Sequence, residues 1–170
     1  TAFAISSASY DSVSFTVTSQ EATPRDLAFN DDGTKMYVVG NTTDSVHQYS
    51  LSTAFDLSTV SYDSVSFSVV SQATYPHGLT FNNDGTKMYV LDITTDSVYQ
   101  YSLSTAFSVS TASYDSVTFS FASQETGPQK VYFNGDGSKM YVTGSTNDSV
   151  FQYSLSTAFD VGTASYDSVS

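Results

Sequence analysis

The chain has no cysteine, three prolines, and five basic residues against seventeen acidic ones in its 170 positions. Without cysteine, neither a disulfide framework nor thiolate chemistry is available. A formal net charge of −12 repels nucleic-acid phosphates and anionic membrane surfaces, so no nucleic-acid partner is expected. No apolar run approaches the length of a membrane span, so no membrane insertion is expected, and no charged-then-apolar leader opens the sequence. Ser-His-Asp order, zinc-ligand spacing and a Gly-rich phosphate loop are all missing. What is present is scarce lysine with abundant Ser, Thr, Asn, Tyr and Phe. That composition resembles extracellular bacterial or viral β proteins, and an extracellular or surface-exposed location is expected.

One stretch occurs three times: Phe29 to Val38 (FNDDGTKMYV), Phe81 to Val90 (FNNDGTKMYV) and Phe133 to Val142 (FNGDGSKMYV), each 52 positions after the last. A repeat this regular is settled before anything else. Residues 9–60, 61–112 and 113–164 form three complete repeats in one repeat domain, flanked by partial repeats 1–8 and 165–170. The two ends overlap in sequence, TAFAISSASYDSVS at 1–14 against TAFDVGTASYDSVS at 157–170.

Every segment reads as β. Val13, Phe15 and Val17 alternate with Ser and Thr, the period of a half-buried strand. Leu27 and Phe29 begin a short strand after Pro24. Asp32-Gly33 closes a hairpin, because Gly accepts the positive φ that a tight turn demands. Met36 to Val39 and Val46 to Leu51 supply two further strands, and Ser52 to Ser61 is a longer link. Four short antiparallel strands in a unit of about 40–55 residues describe a β-propeller blade. The alternative is a β-solenoid-like array, which needs parallel stacking rather than successive Asp-Gly hairpins. The motif F-N-x-D-G-x-K-M-Y-V, preceded by Pro and followed by D-S-V-x-Q-Y, resembles the blade of YVTN-type propellers. The resemblance implies that the Asp-Gly hairpin joins the innermost strand to the second. It implies no single activity, since such propellers include binding modules, surface proteins and some enzymes.

Positions alike in all three repeats are read as needs of every blade. Asp11, Asp63, Asp115 and Asp167, with Asp44, Asp96 and Asp148, could form rings of cation ligands. Turn capping is the preferred reading, because the spacing of a calcium loop is missing. Calcium is therefore not indicated, and no cofactor or metal site is expected. Lys35, Lys87 and Lys139 are read as partners of the acidic Asp-Gly turn, and Gln48, Gln100 and Gln152 as a structural hydrogen bond made in each blade. His47 aligns with Tyr99 and Phe151, an aromatic packing slot.

The repeats differ in two loops that an up-down-up-down blade places on one face: the link into the inner strand, and the turn between the second and third strands. Arg25, Asp26, Tyr75, His77, Asp92, Gln129 and Lys130 stand there and are the ligand-binding candidates; no catalytic residue is assigned. The expected function is a non-catalytic binding or structural-display module in an extracellular, cell-surface or phage-appendage protein, with a protein or carbohydrate ligand. The alternative is a metal-dependent lactonase-like propeller enzyme, whose metal site would draw on Asp26, His77 and Asp92. Asn41 and Asn147 lie in glycosylation sequons. Propellers close with roughly four to eight blades, so three imply self-association through blade faces or an excerpt of a longer array. The duplicated ends compete for one strand position, which disfavours simple ring closure.

Overall fold

The Asp-Gly turn sets the first hairpin of each sheet. In the computed structural model, which describes residues 5–169, Gly33 takes a φ of +70° and the Asp32 carboxylate accepts the Thr34 amide at 2.9 Å. The turn joins β1 (Pro24–Phe29) to β2 (Lys35–Gly40), and β3 (Ser45–Leu51) and β4 (Val60–Ser68) follow. A one-turn 3-10 helix, Leu57–Thr59, lies between β3 and β4. The pattern returns as β5 (Pro76–Phe81), β6 (Lys87–Asp92), β7 (Ser97–Leu103) and β8 (Ala112–Ser120). It returns again as β9 (Pro128–Phe133), β10 (Lys139–Gly144), β11 (Val150–Leu155) and β12 (Ala164–Tyr166). Each group is a four-stranded antiparallel sheet in chain order. The protein is all-β, and its sheets are propeller blades rather than coils of a solenoid.

One predicted strand is not formed. Residues 13–17 form no strand, whereas the counterparts of residues 13–16, at 65–68 and 117–120, lie in β4 and β8. The alternation of Val13, Phe15 and Val17 suits a strand, but alternation alone does not make a ladder, which needs a neighbouring strand to supply the hydrogen-bond partners.

The outer strand carries a bulge that rewrites the reading of two repeated residues. Between Gln48↔Val65 and Tyr49↔Tyr62 the register shifts, and Ser64 takes a φ of 58°. This turns Asp63 inward, where its Oδ2 accepts Gln48 Nε2 at 2.8 Å and Lys35 Nζ at 3.4 Å. Lys87 meets Asp115 and Lys139 meets Asp167 in the same way, at 3.5 and 2.7 Å. The lysines therefore pair with the outer strand and not with the Asp-Gly turn, and Asp63 is an ion-pair partner rather than a turn cap. Asp44 and Asp96 do sit in left-handed turns, with φ of 47° and 49°, but each leaves Oδ1 buried without a hydrogen bond.

The core lies between sheets. Tyr37, Val39 and Val46 of the first blade pack against Leu79, Met88, Val90, Tyr101 and Val109 of the second, and the third repeats this against the second. Burying each such side chain contributes about 1.5–3 kcal/mol. Two hydrogen bonds fix the docking at each of the two junctions. Tyr37 donates its hydroxyl to the Phe107 carbonyl at 2.5 Å, and Tyr89 donates to that of Phe159 at 2.6 Å. Gln48 Oε1 accepts the Val109 amide and Gln100 Oε1 that of Val161, both at 3.1 Å. His47 is buried beside Tyr62, ring centroids 6.0 Å apart, and burial lowers its pKa.

Candidate functional site

The inner strands β1, β5 and β9 lie side by side, and each begins with a proline, whose missing N–H is tolerated at a strand start. The two residues after each proline are Arg25-Asp26, His77-Gly78 and Gln129-Lys130. Two short rows result, each with one residue per blade.

In the deeper row, Lys130 reaches across β5, the inner strand of the middle blade, to an ion pair with Asp26. Lys130 Nζ also donates to the Leu79 carbonyl at 3.1 Å, while Asp26 Oδ2 accepts the Leu79 amide at 2.7 Å. Gly78 occupies the row between them. A Cβ there would stand 3.2 Å from Leu91 Cβ and 3.4 Å from the Gln129 carbonyl oxygen, so the missing side chain lets the neighbouring strand approach. In the outer row, Arg25 donates Nε to Asn41 Oδ1 at 3.2 Å and Nη2 to the Tyr75 hydroxyl at 2.6 Å. Its guanidinium carbon lies 5.2 Å from the Tyr75 ring centroid, a cation–π distance. His77 Nδ1 faces the Gln129 carbonyl at 3.4 Å, and Gln129 Nε2 donates to Ser145 Oγ at 3.2 Å.

Basic charge is divided between these strand starts and the outer strands. Three of the five basic residues are tied to outer strands by Asp63, Asp115 and Asp167. The other two are Arg25 and Lys130. Among the described residues Arg25 has no carboxylate partner, so it is the cation most open to an anionic ligand.

Six of the seven predicted positions thus gather on one face. Asp92 does not belong with them. It is fully buried, and its carboxylate accepts the amides of Tyr75, Thr94 and Thr95 at 2.6 to 2.9 Å. The loop needs that acceptor to hold its backbone donors away from water. In the outer two blades the same task falls to residues that sequence comparison left aside. Glu21 accepts from Thr23, Thr42 and Thr43, and Glu125 from Gly127, Thr146 and Asn147. Gly40 and Gly144 make room for them: a Cβ on Gly40 would come within 2.5 Å of Glu21 Cδ, and one on Gly144 within 2.0 Å of Glu125 Cδ. The signal was present, because Glu with Gly in blades one and three becomes Ala73 with Asp92 in blade two.

Burial raises the Glu21 pKa, but the hydrogen bonds from Thr23, Thr43 and Thr42 outweigh it and hold the carboxyl at about 2 instead of 4.5. A lowered folded-state value means stability that is present above the unfolded-state value and lost as pH falls towards the folded one. Melting temperatures recorded from pH 5 down to pH 2.5 are expected to fall less steeply for Glu21→Gln than for the wild type. Parallel slopes would contradict this assignment.

The trio Asp26, His77 and Asp92 does not make a metal site. Asp92 is spent on backbone amides and Asp26 on Lys130 and Leu79, and the described residues contain no group of three metal-ligating side chains.

No family model matches the chain, and no curated protein does. Solved structures do. A Bacteroides fragilis protein assigned as a 6-phosphogluconolactonase matches with a TM-score of 0.62 and 14% identity, over 85% of this chain and 38% of its own. The Pseudomonas aeruginosa periplasmic gluconolactonase matches with a TM-score of 0.57 and 16% identity, over 84% and 41%. The Cps50 (Swd1) β-propeller domain of Myceliophteria thermophila matches with a TM-score of 0.54 and 11% identity, over 78% and 40%. The fold is that of a β-propeller. The chain spans about two fifths of each of these proteins, and its likeness to YVTN-type blades rests on the motif alone. The expectation of a protein without catalytic function is corrected here, because the structures it resembles include proteins named for lactone chemistry. Among the described residues no helix is long and apolar enough to cross a membrane.

Proposed function

We propose that these three blades belong to a propeller hydrolase that opens small sugar lactones at the mouth of the channel. The observation that carries this reading is the convergence of Arg25, Asp26, His77 and Lys130 at the starts of three adjacent inner strands. The lactone names of similar structures support it, and one of those proteins is periplasmic, which suits a place outside the cytoplasm. In the reaction, water adds to the lactone carbonyl and the ring C–O bond breaks, leaving a hydroxy acid. The His77 imidazole is the group suited to take the water proton, since histidine is the commonest general base. Lys130 and Arg25 supply positive charge for the developing oxyanion and for the product carboxylate, and Arg25 offers the planar fork that matches a carboxylate. Asp26 orients the Lys130 ammonium group. No metal is invoked in these steps.

Proton release from glucono-δ-lactone, followed by pH-stat, tests the proposal. The protein is expected to exceed the buffer rate, His77→Ala to lose about 100-fold, and Lys130→Ala to lose activity with unchanged circular dichroism. A wild-type rate equal to that of buffer would remove the proposal.

A further inference from the structure

Each inner strand opens with a bulge. Pro24 faces Gly40 and Asp26 faces Val39, so Arg25 is an extra residue of β1 against β2. His77 is the extra residue of β5, between Pro76↔Asp92 and Gly78↔Leu91. Gln129 is that of β9, between Pro128↔Gly144 and Lys130↔Thr143. The extra residue of a bulge stands outside the ladder, and the bulge re-aims its side chain. Arg25, His77 and Gln129 are therefore left to find other partners.

In the first and third blades the partner lies in the same blade. Arg25 Nε donates to Asn41 Oδ1 and Gln129 Nε2 to Ser145 Oγ, each at 3.2 Å. Asn41 and Ser145 are equivalent residues, and their amides donate to the carbonyls of Thr23 and Gly127. The middle blade has Ile93 at this position, with its amide on the Tyr75 carbonyl in the same way. An isoleucine side chain offers no hydrogen bond, so His77 turns to the next blade. There its Nδ1 lies 3.4 Å from the carbonyl oxygen of Gln129, the equivalent residue one repeat on. A carbonyl oxygen only accepts, so the nitrogen that faces it carries the hydrogen. The acceptor is itself held, because Gln129 Nε2 also donates to the Gly127 carbonyl at 3.1 Å. His77 Nε2 has no hydrogen-bond partner among the described residues, and the side chain is partly exposed.

We propose that Gln129 is a positioning residue: its carbonyl fixes neutral His77 as the Nδ1–H tautomer, and its side chain, clasped on Gly127 and Ser145, holds that carbonyl in place. Nε2 is thereby reserved as the nitrogen that accepts a proton. Its part in turnover rests on the hydrolase reading above, whereas the tautomer does not. In that reaction Nε2 takes a proton as the water oxygen bonds to the lactone carbonyl carbon. It returns the proton to the ring oxygen as the C–O bond breaks, and the imidazole ends neutral. Between these events the ring is cationic, and the Gln129 carbonyl still accepts from Nδ1–H.

Long-range 1H–15N spectra of the 15N-labelled protein at about pH 8.5, where imidazole is neutral, test the assignment. His47 is the only other histidine, and His47→Phe, which installs the residue of the third blade, leaves His77 alone in the spectrum. Free histidine side chains favour the Nε2–H form, so an Nδ1–H spectrum reports a bound acceptor. His77 is expected to show a protonated-type signal at Nδ1 and an unprotonated-type signal at Nε2. Gln129→Ala, with unchanged circular dichroism, is expected to move both signals towards the free-imidazole pattern. On glucono-δ-lactone the same variant is expected to lose about tenfold in kcat with KM unchanged. An Nε2–H spectrum in the wild type, or spectra that Gln129→Ala leaves unchanged, would overturn the proposal. The spectra need no turnover, so an inactive wild type removes the hydrolase reading while they still decide this one.

Discussion

Asp92→Gly is expected to destabilise the protein by about 3 kcal/mol, and adding Ala73→Glu is expected to recover most of that loss. The single variant leaves three amides of a buried loop, those of Tyr75, Thr94 and Thr95, without an acceptor. Stranding a buried donor costs about 1–3 kcal/mol, and glycine within a strand adds about 0.5–1 kcal/mol. In the double variant the middle blade acquires the arrangement of its neighbours, where a glutamate on the link reaches over a glycine to the same three amides. The geometry agrees closely: Glu21 and Glu125 accept at 2.8 to 3.1 Å from amides equivalent to those Asp92 serves. Ala73→Glu alone is expected to be the worst of the set, because two carboxylates would compete for one buried place. Urea unfolding of the four proteins closes the cycle. A double variant no more stable than Asp92→Gly would show that the two carboxylates are not interchangeable.

Gly85→Ala is expected to cost about 3 kcal/mol for a single methyl group. Gly85 has a φ of +69°, and a Cβ there would lie 2.2 Å from Phe107. The left-handed backbone accounts for about 1–2 kcal/mol, and displacing a packed ring for about 1–3 kcal/mol. Phe107 has little freedom to move, since its amide donates to the Gly85 carbonyl and its own carbonyl accepts Tyr37 from the preceding blade. Gly135 is the matched control: a Cβ there meets nothing within 4 Å, and Gly135→Ala is expected to be neutral or slightly stabilising. Equal losses at the two positions would refute the packing argument.

Much of this architecture could be read in advance, because the repeat period, the Asp-Gly hairpins and the strand alternation are local signals. The face shared by Arg25, His77 and Gln129 was also legible, since alternating strands send alternate loops to opposite ends. What escaped notice depends on geometry that alternation does not encode. The bulge at Ser64 turns Asp63 from a solvent-facing position onto Lys35, and no one-dimensional pattern announces a bulge. Variation between repeats gives Asp92 the look of a surface group, yet it varies in step with Gly40, Gly144, Glu21 and Glu125. Only reading positions 73 and 92 together reveals a compensating pair. The unpaired state of residues 13–17 was equally hidden, because a strand's own sequence does not say whether a neighbour is there to receive it.

The tie from Tyr37 to the Phe107 carbonyl, repeated by Tyr89 to Phe159, bears on how such a molecule grows. Each 52-residue unit carries the donor on one side and the acceptor on the other, so an inserted unit brings both halves of the joint it interrupts. Duplication or loss of a whole unit leaves every remaining joint chemically unchanged, and copy number can drift while the packing within blades stays constant. The number of units can then change without altering the chemistry of any single joint.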